Sequence, residues 1–397
     1  MNNPSFRQAS ESLRELADLD VSIKQVQRVT QRIGEERVAE RVATVKAYEK
    51  LPLTEKKAAP AGVTSPPVAV VMADGGRLQI RDAAEESDEE TSPSPHRGKR
   101  WREDRNGLLL AMESEEKAVD PCPEVPESFV DPTRILKLAR ELKPVPIGAD
   151  AVSEPATDEP EPTAAAETES KKYVPPEVVQ RRVVASRENW HDFGPQVAAA
   201  AYAMGLFGSA RQAFVGDGAD TNWKLWRRYF SSFVPILDFI HALSYVFAAA
   251  MAGRKFPEAW PIYVRWINWV WQGQVAKVIA ELAVRQAELG APEPDEAATS
   301  PRQLVASTLT YLQNHKEKMR YDEYRRKGLP ITSSHIESLI KQVNQRVKGT
   351  EKSWCDDGAE PILQLRGDYL SDDQPLEAFW QRRQERQTGQ RCYRRAG

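Results

Sequence analysis

The chain has 397 residues, of which 41% are hydrophobic and 28% are charged, so it can bury a sizeable core and form two or three domains. No apolar run approaches the roughly 18 to 20 residues that cross a bilayer, and the first residues, MNNPSFRQAS, contain no apolar signal-peptide segment. We therefore expect a cytoplasmic protein without a membrane partner. The cysteines, Cys122, Cys355 and Cys392, show no metal-ligand spacing, which argues against a zinc site.

The net charge of −3 hides a separation of charge along the chain. Residues 82–90 carry six acidic groups and residues 148–170 carry seven, with no basic residue in either segment. Their low content of large apolar side chains predicts acidic linkers near 82–100 and 148–172. Without these thirteen acidic groups the net charge is +10, which is typical of a protein that binds a phosphate backbone and equally of a merely basic surface.

Residues 1–55 are predicted to form a helical segment. A first amphipathic helix precedes DLDVS, and Ser22 is placed to cap a second helix that begins at Ile23. The predicted inner stripe of the second helix is Ile23, Val26, Val29 or Thr30, and Ile33. Three basic side chains expected to contact DNA line another face: Lys24, Arg28 and Arg32. This arrangement resembles a helix-turn-helix, in which the second helix enters the major groove, but a solvated hairpin or a dimerising coil fits the spacing as well.

The next region, 56–251, begins with strand-like sequence. The stretch PPVAVVMADGGRLQI, residues 66–80, has an apolar run at 67–73 that ends on Asp74 and two glycines. Because DGG is typical of a turn, residues 77–82 are predicted to be the hairpin partner of the first strand, with residues 107–113 as a third strand. Asp74 is then either a solvated turn residue or a metal ligand at the edge of a sheet.

Two further strands are predicted to end on aspartates. QAFVGDGAD has an apolar strand at 213–215 followed by Asp217, and a crossover helix before it would place this strand parallel to the first. Asp220 is the competing ligand in this segment. The strand at 233–237 ends at Asp238, with His241 three residues later. Without other information, this last pair is a helix cap and a core histidine.

Three strands, a helix, a strand, a helix and a strand form an order that resembles the ribonuclease-H-like fold, whose active site is a group of carboxylates at strand ends. We therefore predict an α/β protein with a ribonuclease-H-like mixed sheet, an all-α insertion at 252–330 and the N-terminal helical segment. The tryptophans of the insertion are interpreted as core residues, with base stacking as the alternative: Trp260, Trp266, Trp269 and Trp271.

A third acid is predicted on a helix within 331–372. In LPITSSHIESLIKQVNQRVKG, Ser333 or Ser334 can cap a helix that carries Glu337 in its first turn, although a first-turn glutamate is usually only a favourable helix-dipole residue. Basic side chains on this helix are expected to contact DNA: Lys341, Arg346 and Lys348. Residues 373–397 are predicted to form a basic tail that is disordered or lies along DNA.

Five segments occur in an order that resembles a known family: ADGGRLQIRD, FVGDGAD, ILDFIHAL, YLQNHKEKMRYDEYRRKGLPITSSHIESLIKQVNQRVKG and EKSWCDDGAEPILQLRGDYLS. Together they resemble the DDE transposases of bacterial insertion sequences, most closely the ISKra-type group, from about residue 10 to about residue 380. The resemblance implies a catalytic and metal-binding triad of Asp74, Asp217 and Glu337, with Asp238 and His241 near the active site. It also implies double-stranded DNA as the partner, both element ends and target, and a homo-oligomer on that DNA.

Carboxylates of this kind suit Mg²⁺ or Mn²⁺, and we expect two ions, because a pair about 3.5 to 4 Å apart can hold the attacking and leaving oxygens of a phosphodiester. The expected activity is DNA cleavage and strand transfer by a cytoplasmic, nucleoid-associated transposase. One alternative is a ribonuclease-H-like nuclease without strand transfer. Another is a truncated or inactive copy that only binds DNA, because ISKra-type proteins usually carry a longer N-terminal region.

Overall fold

A mixed β-sheet forms the centre of the structure, a computed structural model that describes residues 5–81, 100–142, 174–348 and 354–388. The sheet has six strands in the described residues, in the order β3-β2-β1-β4-β5, and β6 pairs with the far end of β1. The strands are β1 (Val68–Arg81), β2 (Arg100–Glu113), β3 (Glu177–Ser186), β4 (Arg211–Gly216), β5 (Val234–Leu237) and β6 (Trp354–Cys355).

Parallel and antiparallel pairing divide this sheet into two parts. Strands β1, β2 and β3 form antiparallel pairs, whereas β1, β4 and β5 run parallel to one another. The predicted parallel alignment of the strands before Asp74 and Asp217 is therefore confirmed. The parallel strands are almost continuously apolar and buried, from Val68 to Met72 in β1 and from Ala213 to Val215 in β4, as expected for a sheet covered on both faces.

The predicted turn at DGG is wrong. Strand β1 runs without interruption from Val68 to Arg81, and Gly75 and Gly76 are paired with Arg105 and Asp104 of β2. The glycines instead provide space, because a Cβ atom at Gly76 would lie 2.6 Å from the Asp104 carboxylate. Residues 77–81 therefore belong to β1, and β2 extends the predicted strand 107–113 back to Arg100. Strand β3 was not predicted.

The helices surround this sheet. In the described residues they are α1 (Phe6–Ala17), α2 (Ile23–Glu49), α3 (Leu53–Lys56), α4 (Pro132–Leu142), α5 (Trp190–Ala203), α6 (Asp220–Tyr229), α7 (Phe239–Met251), α8 (Phe256–Trp271), α9 (Val275–Leu289), α10 (Pro301–His315), α11 (Tyr321–Arg326), α12 (Ser334–Val347), α13 (Asp356–Tyr369) and α14 (Pro375–Thr388). Helix α5 packs against β2 and β3, α12 packs against β1 and β2, and α13 packs against β3 and α2.

Helix α2 begins at Ile23 as predicted, with Ser22 and Gln25 forming a capping box. It is one 27-residue helix whose second half is anchored to α13, because Gly34 allows close contact with Pro361 and Arg37 forms an ion pair with an aspartate of α13. Ile23 and Val29 do not lie on a buried face of this helix as predicted, because they are 44% and 48% exposed.

The predicted C-terminal tail is partly helical. Helix α14 docks on α2 through a fully buried Phe379 and through ion pairs between its arginines and two glutamates of α2. Residues 375–388 thus form an ordered helix rather than a disordered tail, while 389–397 lie outside the described residues. Residues 82–99 of the first predicted acidic linker and all of the second, 148–172, also lie outside them.

The region between β5 and α12 is helical, as predicted for 252–330. Trp266 and Trp271 are 1% and 2% exposed, and their indole nitrogens donate to Glu281 and to the Cys122 carbonyl, which agrees with a role in the core. Among the helices that the structure describes, none combines the length and the apolar character needed to cross a membrane.

Candidate metal centre

The sheet register brings three aspartates side by side, one within β1 and two that directly follow β4 and β5. Met72 of β1 is paired with Val215 of β4, and Asp74 and Asp217 each follow two residues later. Gly216 of β4 is in turn paired with Leu237 of β5, directly before Asp217 and Asp238. The sheet register, together with the parallel strand direction, thus brings the three carboxylates to one edge.

Asp74 is attached to a rigid strand rather than to a turn. Its Oδ1 accepts a hydrogen bond of 2.6 Å from the Gly75 backbone N–H. Burial, together with the negative charges of Asp217 and Glu337, raises the pKa of Asp74 to about 6 against the opposing effects of the Gly75 hydrogen bond and of His241. The charges of Asp217 and of Glu337 thus both act on the Asp74 carboxyl.

A buried amide and carboxylate lie beside Asp74 on β2. Asn106 is directly opposite Asp74 in the register, and its Nδ2 donates to Asp104 over 2.8 Å. Both side chains are 0% exposed, and burial raises the pKa of Asp104. This pair supports the strand that carries Asp74, and nothing in the alternation of the sequence distinguished it from an exposed polar stretch.

The loop after β4 holds Asp217 in a fixed orientation. Its Oδ1 accepts hydrogen bonds of 2.9 Å from the Ala219 backbone N–H and from Asn222 Nδ2. Its carbonyl oxygen accepts a 2.8 Å hydrogen bond from the Tyr311 hydroxyl of α10. Gly218 has a φ of +104°, and a Cβ atom there would lie 2.7 Å from the Tyr311 ring, so this position requires glycine.

Asp220, the alternative to Asp217, is directed away from this edge. It lies in the first turn of α6, where it forms surface ion pairs with Lys224 and Arg227 and is 69% exposed. The structure therefore favours Asp217 as the second acid of the group.

Asp238 is completely buried and joins three elements. It is the N-cap of α7, its Oδ1 accepts from the Ser333 backbone N–H at 2.7 Å, and its Oδ2 accepts from the His241 backbone N–H at 2.9 Å. The ring nitrogen Nδ1 of His241 lies 2.6 Å from the same Oδ2. Asp238 thus fixes both the imidazole and the start of the segment that carries Glu337.

His241 is the cation of the group. Burial alone would lower the pKa of His241, but the hydrogen bond and charge of Asp238, with further contributions from Asp217 and Glu337, raise it to about 9. The ring is consequently protonated at neutral pH, and Nδ1 donates to Asp238. An imidazolium at this position offsets part of the negative charge of the surrounding carboxylates.

Glu337 lies in the first turn of α12, and Ser333 is the N-cap residue, within the predicted pair. Burial and the charge of Asp238 raise the pKa of Glu337, although His241, Lys341 and a hydrogen bond from Ser333 oppose this. Single ligand atoms of Asp238, His241 and Glu337 all lie within 4.8 Å of one another. These three side chains form a group that could hold a metal ion.

The donor set fits a hard divalent cation. Carboxylate oxygens are the ligands that Mg²⁺ and Mn²⁺ take in proteins, and the raised pKa values of Asp74 and Glu337 mean that their charged forms are destabilised without a cation. His241 Nδ1 faces Asp238, so Nε2 could bind a metal after loss of one proton while Nδ1–H still donates to Asp238. Of the two carboxylates in the compact group, Glu337 is better suited to bind metal together with Asp74 and Asp217, because Asp238 already accepts three hydrogen bonds.

A cavity of about 690 Å³ opens beside the two strand-end aspartates, Asp74 and Asp217, which both line it. Its other walls come from the extension of the β1–β2 hairpin, from the start of α5 and from the start of α6: Gly75, Gly76, Arg77, Trp101, Arg102, Glu103, Trp190, Ala219, Thr221 and Asn222. Asp74 and Asp217 are thus accessible to a ligand of nucleotide size, whereas Asp238, His241 and Glu337 are not among the residues that line this cavity.

The predicted DNA-contacting residues divide into exposed and buried ones. Five are exposed, on α2 and on α12 with its C-cap: Lys24, Arg28, Arg32, Lys341 and Lys348. Arg346 is only 7% exposed, and its guanidinium lies 4.6 Å from the Phe6 ring centroid and 5.4 Å from that of Trp354. We therefore exclude Arg346 from the surface available to DNA.

Several residues near the centre were not identified from the sequence. Tyr311 had no signal beyond its place in an amphipathic helix, and Asn222 was passed over beside the more acidic Asp217. Trp101 and Trp190 lie outside the tryptophan-rich segment from Trp260 to Trp271.

No protein-family model matches this chain, and no curated protein is similar to it in sequence.

Proposed function

We propose that this protein is a transposase that uses divalent metal ions to cleave DNA and to transfer the freed strand end to a target. The observations that support the proposal are the sheet register, which places Asp74, Asp217 and Asp238 side by side, and the compact group in which ligand atoms of Asp238, His241 and Glu337 lie within 4.8 Å of one another. The charges of Asp217 and Glu337 also act on Asp74. These are the residues that the resemblance to DDE transposases singles out.

We assign metal binding to Asp74, Asp217 and Glu337. Asp74 and Asp217 line the open cavity, whereas Asp238 is 0% exposed and already accepts three hydrogen bonds. Bound Mg²⁺ or Mn²⁺ would supply charge neutralisation and activation of the attacking oxygen. The remaining groups of the chain position the ligands, because Asn222 and Tyr311 fix Asp217 and Asp238 fixes the approach to α12.

The ribonuclease-H-like fold belongs to the same proposal. Its support is the sheet order β3-β2-β1-β4-β5, with three antiparallel strands followed in sequence by helix-linked parallel strands. The helical region between β5 and α12 then corresponds to an insertion before the last acid. In this arrangement the exposed basic residues of α2 and α12 are candidates to contact double-stranded DNA.

The test is a DNA strand-transfer assay with Mg²⁺ or Mn²⁺ and a plasmid target. We expect Asp74→Asn, Asp217→Asn and Glu337→Gln each to lower activity by at least about 100-fold, while Asp220→Asn, which alters an exposed aspartate outside the group, retains it. Undiminished activity in the three variants would refute the proposal. Cleavage without a joined product would favour a nuclease, and binding of DNA without metal-dependent cleavage would favour an inactive DNA-binding protein.

A further inference from the structure

Two tryptophans on different elements line the cavity beside the strand-end aspartates. Trp101 is contributed by β2 and Trp190 by the start of α5. Trp101 is 46% exposed, which is unusual for the largest apolar side chain on a strand that pairs with its neighbour along its whole length. Trp101 also lines the cavity that contains Asp74 and Asp217, so a ligand in this cavity can contact the indole.

Both indoles are held in place by neighbouring groups. The Trp190 ring contacts Phe193 edge-on, with centroids 5.8 Å apart and an interplanar angle of 85°, and the Arg105 guanidinium lies 5.8 Å from its centroid. The Lys348 ammonium lies 5.4 Å from the Trp101 centroid. The aromatic groups are thus positioned before any ligand arrives, which lowers the entropic cost of stacking on them.

The polar groups of the cavity match the other parts of a nucleotide. Arg77 and Arg102 are exposed on its wall and form no ion pair with any described residue, so they are free to face a phosphate. Asn222 is 2% exposed, and its Oδ1 has no hydrogen-bond partner within the described ranges. This buried oxygen belongs to a residue that lines the cavity, and no described donor satisfies it.

We infer that this cavity is a nucleobase-binding subsite, in which an unpaired base of the DNA strand stacks on Trp101 while Arg77 and Arg102 face the adjoining phosphates. The inference rests on the proposed function and deepens it, because it names the single-stranded end as the form of DNA held next to the metal centre. Stacking on an indole tolerates any base, so the subsite recognises an unpaired end rather than a sequence.

The experiment measures binding of the full chain to duplex DNA with a 3′ overhang that carries 2-aminopurine at successive positions, with Ca²⁺ replacing Mg²⁺. We expect quenching of the fluorophore at one or two positions in the wild type, because stacking quenches it. Trp101→Ala should remove the quenching and weaken overhang binding about 5- to 100-fold, whereas Trp101→Phe should retain most of both. Binding of blunt duplex should be unchanged by Trp101→Ala.

Trp380→Ala is the matched control, because Trp380 is 47% exposed on α14 and does not line the cavity. Equal quenching and affinity in wild type and Trp101→Ala would overturn the inference, as would tighter binding of an RNA overhang than of the DNA overhang. A wild type that shows Trp101-dependent quenching but no metal-dependent cleavage would refute the transposase proposal alone. A wild type that cleaves and joins DNA without this quenching would refute the subsite alone.

Discussion

Replacing Asp74 with asparagine should make the metal-free protein more stable. The folded-state pKa of Asp74 is raised from 3.8 to about 6, so the folded state binds this proton more tightly than the unfolded state does. The resulting loss of stability begins as pH rises above the unfolded pKa and is complete once pH exceeds the folded pKa of about 6. An asparagine has no charge and escapes this loss, while its Oδ1 can still accept from Gly75.

The size of the Asp74 pKa shift determines the expected change in the free energy of unfolding. About two pKa units at 1.36 kcal/mol each correspond to at most roughly 3 kcal/mol at pH 7.5, and to almost nothing near pH 4. We therefore expect the free energy of unfolding of Asp74→Asn to exceed that of the wild type by about 1 to 3 kcal/mol at pH 7.5 in EDTA. Urea titrations at pH 4.5 and pH 7.5, followed by circular dichroism, measure this difference.

Metal ions should reverse the order of stability. Mg²⁺ stabilises a protein in proportion to its affinity for the folded state, so the wild type should gain stability with added Mg²⁺ and Asp74→Asn should gain little. Asp220→Asn, which alters an exposed aspartate outside the group, should match the wild type in both conditions, because exposed ion pairs contribute little to stability. If Asp74→Asn is no more stable than the wild type in EDTA, or responds equally to Mg²⁺, the assignment of Asp74 to a shared carboxylate site is wrong.

Three further changes test other parts of the structure. Gly34→Ala should lower the free energy of unfolding by about 1 to 3 kcal/mol in urea titrations, since the added Cβ atom would lie 2.5 Å from Pro361. An unchanged midpoint of urea unfolding would contradict the packing of α2 on α13. Tyr311→Phe keeps the ring contact with Tyr245 but loses the hydrogen bond to the Asp217 carbonyl. Calorimetry should therefore show a severalfold lower affinity for Mg²⁺, and the free energy of unfolding should fall by about 1 kcal/mol. An unaltered affinity for Mg²⁺ would exclude a positioning role for Tyr311. Affinity for Mg²⁺ should also fall about fourfold between pH 7.5 and 5.5 as Asp74 takes up its proton, and a flat pH profile would argue against Asp74 as a ligand.

The charge balance of the centre explains how four buried or half-buried acids can coexist before metal arrives. His241 is protonated because Asp238 and the neighbouring carboxylates raise its pKa, and this internal cation offsets part of their repulsion. The Asp-x-x-His spacing has a structural basis, since an N-cap aspartate reaches both the backbone N–H and the ring of the residue three positions later. The sequence placed Asp238 and His241 near the site only through the resemblance. In the structure, the hydrogen bonds of Asp238 hold α7 and the start of α12 together.

Hydrophobic runs, helix caps and helical periodicity correctly predicted the elements whose local sequence pattern agrees with their surroundings in the fold. The buried apolar runs of β1, β4 and β5 were recognised because parallel strands covered on both faces are continuously hydrophobic. Helix α12 and the start of α2 were recognised from their caps and periodicity. The aspartates that follow the strands could be located because parallel strands present their carboxyl ends at one edge.

Other features depended on partners distant in sequence. DGG resembles a turn, yet Gly75 and Gly76 are strand residues that make space for Glu103 and Asp104 across the pair. Strand β3 was missed because its first half is charged and exposed, and only its pairing with β2 and the contact with α13 make it part of the sheet. The arginine-rich helix α14 resembles a free tail until its ion pairs with α2 are seen.

The sequence by itself identified the strands and the helix that carry Asp74, Asp217 and Glu337, because their own neighbours specify these elements, and the resemblance singled out the three acids. Tertiary structure alone decided which side chains surround these acids. Tyr311 reaches Asp217 across 94 residues, and Trp101 and Trp190 meet at one cavity from separate elements. Such contacts arise from strand register and helix packing, and the amino-acid sequence does not directly specify either.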